Sequence, residues 1–110
     1  MAESTLASCQ REVDAWIRTV GVRYFSELTN TALLMEEVGE LARLMARLYG
    51  EQSFKAGEER DLGAEMADVL FVLVCLANQT GVDLDKAFTA AMDKRTRRDR
   101  DRHAANPRLR

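Results

Sequence analysis

Two pairs of acidic residues interrupt the apolar stripes of this sequence, and no other feature constrains the fold as tightly. Glu37 and Glu40 stand three apart in LLMEEVGELARL, and Glu65 and Asp68 stand three apart in LGAEMADVLFVL. On a helix that spacing puts both side chains on one face, about 4.5 Å apart along the axis. Leu33 and Leu34 lie one turn before Glu37 and Leu41 one turn after it; Ala64 precedes Asp68, and Phe71 and Val72 follow it. A carboxylate in such a stripe is costly unless a cation compensates it. Three arrangements meet the condition: a divalent metal between the helices, an ion-pair network drawing on Arg43, Arg47 and Arg60, or acidic faces that remain in water. Two pairs on separate segments, both beside core-forming residues, favour the metal.

The rest of the chain reads as helices around this constraint. Leu6, Cys9, Val13, Trp16, Ile17 and Val20 recur at helical spacing, so a first helix is expected from about Glu3 to Val20, stopped by Gly21. Val22 to Leu28 reads as a connection containing Tyr24 and Phe25. A second helix is expected to start at Thr29 or Asn30, both capping residue types, and to end before Gly50. GEQSFKAG, residues 50–57, is bounded by glycines and reads as a loop. A third helix is expected from about Glu58 to Thr80. Its second half, VLFVLVCLA, is apolar all round and should be the most buried element. Gly81 ends it, and Asp83 caps a fourth helix that runs into KRTRRDRDR and frays near Pro107. The expected fold is all-α, a four-helix-bundle-like domain over residues 1–102 with a flexible tail at 103–110. One core of this size is thin for helices that are apolar on more than one face, so a homo-oligomer is expected.

Composition excludes several classes. With 110 residues, 46% hydrophobic and 31% charged, the chain suits one globular domain. The longest apolar run, Val69 to Ala77, has nine residues, too few to span a bilayer, and the N-terminus lacks a basic-then-apolar leader pattern. No membrane association and a cytoplasmic location are the resulting expectations. Cys9 and Cys75 read as buried free thiols, and His103 lies in a charged tail. Residues 1–93 carry 8 basic and 16 acidic side chains, net −8, whereas residues 94–110 carry 8 basic and 2 acidic, net +6. An acidic body that collects cations is thus joined to a basic end that can collect phosphates. The acidic body disfavours a nucleic-acid binder. There is no glycine-rich phosphate loop, and the lone histidine supports no Ser-His or Cys-His nucleophile.

Oxygen-only ligands suit hard cations, above all Mg²⁺, with Mn²⁺ as the alternative. The lack of a partnering His or Cys argues against zinc and against a ferritin-like di-iron site. Mg²⁺ held by carboxylates usually completes its shell with water and substrate phosphates, so a phosphorylated ligand is the expected guest.

The residues now support a specific likeness. EEVGEL, the 24 residues from Leu41 to Ala64, and EMADVLFVLVCLAN together resemble the EExxE, spacer, ExxD signature of the MazG-type nucleoside triphosphate pyrophosphohydrolases. RYFSELT, ARLYGE, DVLFVLVCLANQTGVDLDKAF and KRTRRD extend the likeness to the short single-domain bacterial members, over roughly Gln10 to Arg102. The resemblance implies a homodimer or tetramer that cleaves a nucleoside triphosphate to monophosphate and pyrophosphate with Mg²⁺, water attacking the α-phosphorus. It implies Glu37, Glu40, Glu65 and Asp68 as metal ligands, with Glu36 and Glu37 as the candidates that orient the water. Lys94 and Arg98, one turn apart on one face, match the family's phosphate-binding segment, and Lys55 is a further phosphate candidate. Thr96 stands where relatives often carry an asparagine that reads a base edge. Trp16, Tyr24 and Phe25 are candidates for stacking on the base. The alternative is a helical module that binds a nucleotide or a protein without catalysis.

Overall fold

A computed structural model of the chain describes residues 3–58 and 61–110. It contains helices α1 (Leu6–Thr19), α2 (Glu27–Tyr49), α3 (Leu62–Thr80) and α4 (Leu84–Asp99), a short 3₁₀ turn at Pro107–Leu109, and no strand among the described residues. The all-α expectation holds, and each boundary has a local cause. Thr5 and Ser8 form a capping box that starts α1. The side chains of Asp61 and Asp83 accept from Ala64 N and Lys86 N and so start α3 and α4. Gly81, with φ +72°, closes α3 in the left-handed conformation that glycine adopts without a Cβ penalty.

Three expected starts are corrected. α1 begins at Leu6 rather than Glu3, because Thr5 is the cap. α2 begins at Glu27, not at Thr29 or Asn30, because Ser26 is the cap: its Oγ accepts from Thr29 N at 3.2 Å. Asn30 is therefore inside the helix, where it is buried. α3 begins at Leu62 rather than Glu58, because Asp61 is the cap. Glu58 is non-helical and folds back on the preceding loop, accepting from Lys55 N at 3.3 Å. Arg60, one of the cations considered for the acidic pairs, lies outside the described residues.

α3 is the central helix. α2 and α1 both pack along it, and α4 lies against α1. Of the buried core residues, Val72, Val74, Cys75 and Ala77 come from α3, Ile17 from α1 and Leu44 from α2. The apolar half of α3 is thus the most buried element, although Leu70, Phe71 and Leu73 remain partly exposed on its other side. The nine-residue run is part of a 19-residue helix that is long and apolar enough, by length and composition alone, to cross a bilayer. α4 has no buried residue, and Phe88 and Met92 stand exposed on it. The Cα radius of gyration is 17.7 Å, against about 13 Å for a compact domain of this length.

Polar contacts fix the segment between α1 and α2. Tyr24 donates from its hydroxyl to Asp14 Oδ1 at 2.7 Å and accepts from Asn78 Nδ2 at 3.0 Å. Gln10 Nε2 donates to Asn78 Oδ1 and to the Val82 carbonyl, while Gln10 Oε1 accepts from Leu84 N. One amide on α1 therefore holds both the end of α3 and the start of α4. Val22, in the same segment, has φ +72°, a costly conformation for a β-branched residue. Both cysteines are free, Cys75 buried and Cys9 half-buried.

Candidate metal centre and the adjoining cavity

The antiparallel run of α2 against α3 brings Glu37 to Glu65 and Asp68. One carboxylate oxygen from each lies within 4.8 Å of the others. Glu37 and Glu65 are half-buried and Asp68 is exposed. Among the described residues, no Lys, Arg or His forms an ion pair with any of the three. Arg43 and Arg47 pair instead with Glu58 at 3.5 Å, and Arg43 reaches Glu40 at 3.9 Å. Among the described residues the ion-pair alternative is met only at Glu40, by Arg43, and not at Glu37, Glu65 or Asp68. The cluster carries its charge unrelieved. Desolvation, then the negative charges of Asp68, Glu65, Glu40 and Glu36, push the Glu37 carboxyl above its ordinary range. Three converging oxygen donors with a surplus of negative charge fit a hard divalent cation.

The remaining site candidates are placed unevenly. Glu40 lies one turn beyond Glu37, exposed, with Arg43 beside it and outside the three-carboxylate group. Glu36 is exposed on α2. Lys55 is exposed in the loop before α3. Lys94 and Arg98 are exposed on α4, and Arg98 is held by Asp99 through two contacts, at 3.0 and 2.8 Å. Thr96 lines a shallow depression with Asp93, Arg97 and Arg100. Within one chain, α4 lies against α1, whereas the carboxylates lie between α2 and α3.

A feature the sequence did not disclose adjoins the cluster. A cavity of about 250 Å³ is walled by Trp16, Tyr24, Phe25, Leu33, Phe71 and Val72, with Asn30 and Cys75 also on its lining. Leu33 is one turn from Glu37 on α2, and Val72 is one turn from Asp68 on α3, so cavity and cluster are consecutive along the same helix pair. Trp16 is 47% exposed and meets Phe71 edge to face, centroids 5.8 Å apart. Tyr24 and Phe25 join them because the connection folds back over α1 and α3. Spacing alone could not place Asn30 here, since its role depends on the true start of α2.

The site and fold define an all-α protein with acidic helix pairs of the MazG kind. Residues 25–103 match the MazG nucleotide pyrophosphohydrolase domain, and the chain belongs to this family of hydrolases acting on nucleotides. YpjD of Bacillus subtilis strain 168 is 45% identical over 103 residues, 93% of each chain. YvdC of the same organism is 30% identical over 101 residues, covering 84% of this chain and 94% of its own. The crystal structure of B. subtilis YpjD, a candidate pyrophosphatase, matches with a TM-score of 0.76 at 44% identity, covering 86% of this chain and 95% of that one. The crystal structure of a Bacillus-conserved MazG protein, a nucleotide pyrophosphohydrolase, matches with a TM-score of 0.75 at 42% identity, covering 93% and 100%.

Proposed function

We propose that this protein is a Mg²⁺-dependent nucleoside triphosphate pyrophosphohydrolase that releases a nucleoside monophosphate and pyrophosphate and serves in nucleotide-pool control. The observation that carries the proposal is the convergence of Glu37, Glu65 and Asp68 within 4.8 Å with no described cation to balance them. These three, joined by Glu40 from the same face of α2, would hold the metal, Mg²⁺ or Mn²⁺. When bound, the cation would supply Lewis-acid polarisation of the substrate phosphates.

The chain's own groups do the rest. Glu36 and Glu37 orient the attacking water. Lys55, Lys94 and Arg98 bind the outgoing β- and γ-phosphates, with Arg98 exchanging Asp99 for phosphate. The cavity receives the base, stacked against Trp16, Tyr24 and Phe25 and shielded from water by Leu33 and Phe71. Thr96 sits beside the phosphate-binding residues on α4. A second copy, in a homodimer or tetramer, would cover the exposed apolar residues of α3 and α4 and could bring α4 to the carboxylates. The large radius of gyration supports that assembly.

The test is pyrophosphate release from a panel of NTPs and dNTPs with Mg²⁺, Mn²⁺ or chelator, beside Asp68→Asn and Glu65→Gln. Metal-dependent release should fall by about a hundredfold to a thousandfold in both variants, with the helical circular dichroism and the oligomer unchanged. Wild-type rates in either variant would refute the assignment.

A further inference from the structure

The cavity is lined by a residue whose hydrogen-bond acceptor has its direction dictated by the surrounding chain. Asn30 is 4% exposed and lines the cavity. Its Nδ2 donates to Gln79 Oε1 at 2.8 Å. Gln79 Nε2 in turn donates to the Phe25 carbonyl at 2.6 Å and to Glu27 Oε1 at 3.3 Å. A backbone carbonyl and an ionised carboxylate only accept, so Gln79 must turn its NH₂ toward them and its oxygen toward Asn30. Asn30 must then turn its own NH₂ toward Gln79. What it has left is Oδ1. That atom accepts no hydrogen bond among the described residues and is not sealed from solvent.

Two other polar side chains of the lining carry hydrogen bonds of their own. The Tyr24 hydroxyl is shared between Asp14 and Asn78, and Arg23 Nη1 donates to the Tyr24 carbonyl. Asn30, a lining residue two turns further from the carboxylates than Glu37, thus keeps Oδ1 as an acceptor whose orientation Gln79 fixes. Asn30 is two turns from Glu37, about 10 Å along the axis, a separation that one nucleoside can bridge. A base entering with its sugar toward the carboxylates puts its C4 substituent, if a pyrimidine, or its C6 substituent, if a purine, deepest in the cavity. That substituent is an amine in cytosine and adenine, and a carbonyl in uracil, thymine, guanine and hypoxanthine.

Building on the reading of this cavity as the base site, we propose that Asn30, locked by Gln79, determines specificity by selecting nucleotides whose base carries an exocyclic amine at that position. A carbonyl there would set oxygen against oxygen and leave both without a donor, the situation that discriminates best between ligands of equal size.

The experiment compares kcat/KM for dCTP against dUTP and for dATP against dITP, pairs matched in ring size. The amine should be preferred by about tenfold or more in each pair. Asn30→Leu should bring both ratios close to one. Gln79→Met should do the same while leaving Asn30 in place, because a freed amide can present either its oxygen or its NH₂. Circular dichroism confirms that both variants fold. No preference in the wild type, a preference for the carbonyl, or ratios unchanged in both variants would overturn the proposal even though hydrolysis itself stands. If no nucleotide is hydrolysed, the proposed function fails and the cavity is read separately. Trp16, the sole tryptophan, lines it, so its fluorescence reports binding of dCMP and dUMP. Tighter quenching by dCMP, lost in Gln79→Met, supports the selector; equal or absent quenching overturns it.

Discussion

Replacing Glu37 by glutamine should stabilise the metal-free protein and end its response to Mg²⁺. Its carboxylate lies within 4.8 Å of those of Glu65 and Asp68. Two unit charges at that separation repel by about 0.9 kcal/mol in water and about 3.5 kcal/mol at the effective dielectric of a protein surface. Asp68 is exposed and the other two are only half-buried, so the lower figure is the better guide. Two pairs then give about 1–2 kcal/mol. Glutamine keeps the size of the side chain, and Glu37 makes no described hydrogen bond that the change would break. For a chain of this length 1 kcal/mol moves Tm by about 4 °C, so an increase of about 4–8 °C is expected at neutral pH. The assay is thermal denaturation at fixed protein concentration, in chelator and across a Mg²⁺ titration. Folding raises the affinity of Glu37 for its proton, so the native state binds more proton and the metal-free wild type loses stability as pH rises through the folded value. The advantage of the variant should therefore vanish below the ordinary glutamate value of 4.5. An unchanged or lower Tm in chelator, or an equal Mg²⁺-induced rise in both proteins, would refute the reasoning.

Two further perturbations test the frame around the site. Val22 is 79% exposed and has φ +72°; Val22→Gly should relieve that conformation and, after the entropy cost of glycine, raise stability by about 0.5–1 kcal/mol, read as a higher urea midpoint. Asp99, beside Arg98, Arg102 and His103, has its carboxyl held down to about 2. Its contribution to the last turn of α4 is fully present above the ordinary aspartate value of 3.8 and is lost as pH falls through about 2. Amide protection at residues 95–99, taken relative to the intrinsic exchange rate, should fall over that window in the wild type, and Asp99→Asn should abolish the dependence.

Much of the fold was legible because helices announce themselves locally. The period of Leu6 to Val20, the aspartate before Leu84 and the glycine after Thr80 act within a few residues of where they sit. The errors arose where several short polar residues competed for one role. In SELTN, Ser26, Thr29 and Asn30 are all capping types, and Ser26 prevails because its oxygen meets the Thr29 amide. That choice carries Asn30 one turn into the helix, to a buried position whose partner, Gln79, lies 49 residues away. The start of α3 moved because Asp61, four residues past Gly57, is its cap.

The acidic pairs were legible as pairs, since spacing of three on a helix places side chains together whatever the rest of the chain does. The sequence by itself determined the helices, their apolar stripes, the candidate carboxylates and the family likeness. Tertiary structure alone decided that Glu37 meets Glu65 and Asp68, that Arg43 and Arg47 turn to Glu58, and that Trp16, Tyr24, Phe25 and Asn30 enclose one cavity. The physical reason is range. Helix periodicity and capping depend on neighbours in the chain, whereas convergence of side chains depends on how α2 and α1 are set against α3, which only the packing of the whole core can specify.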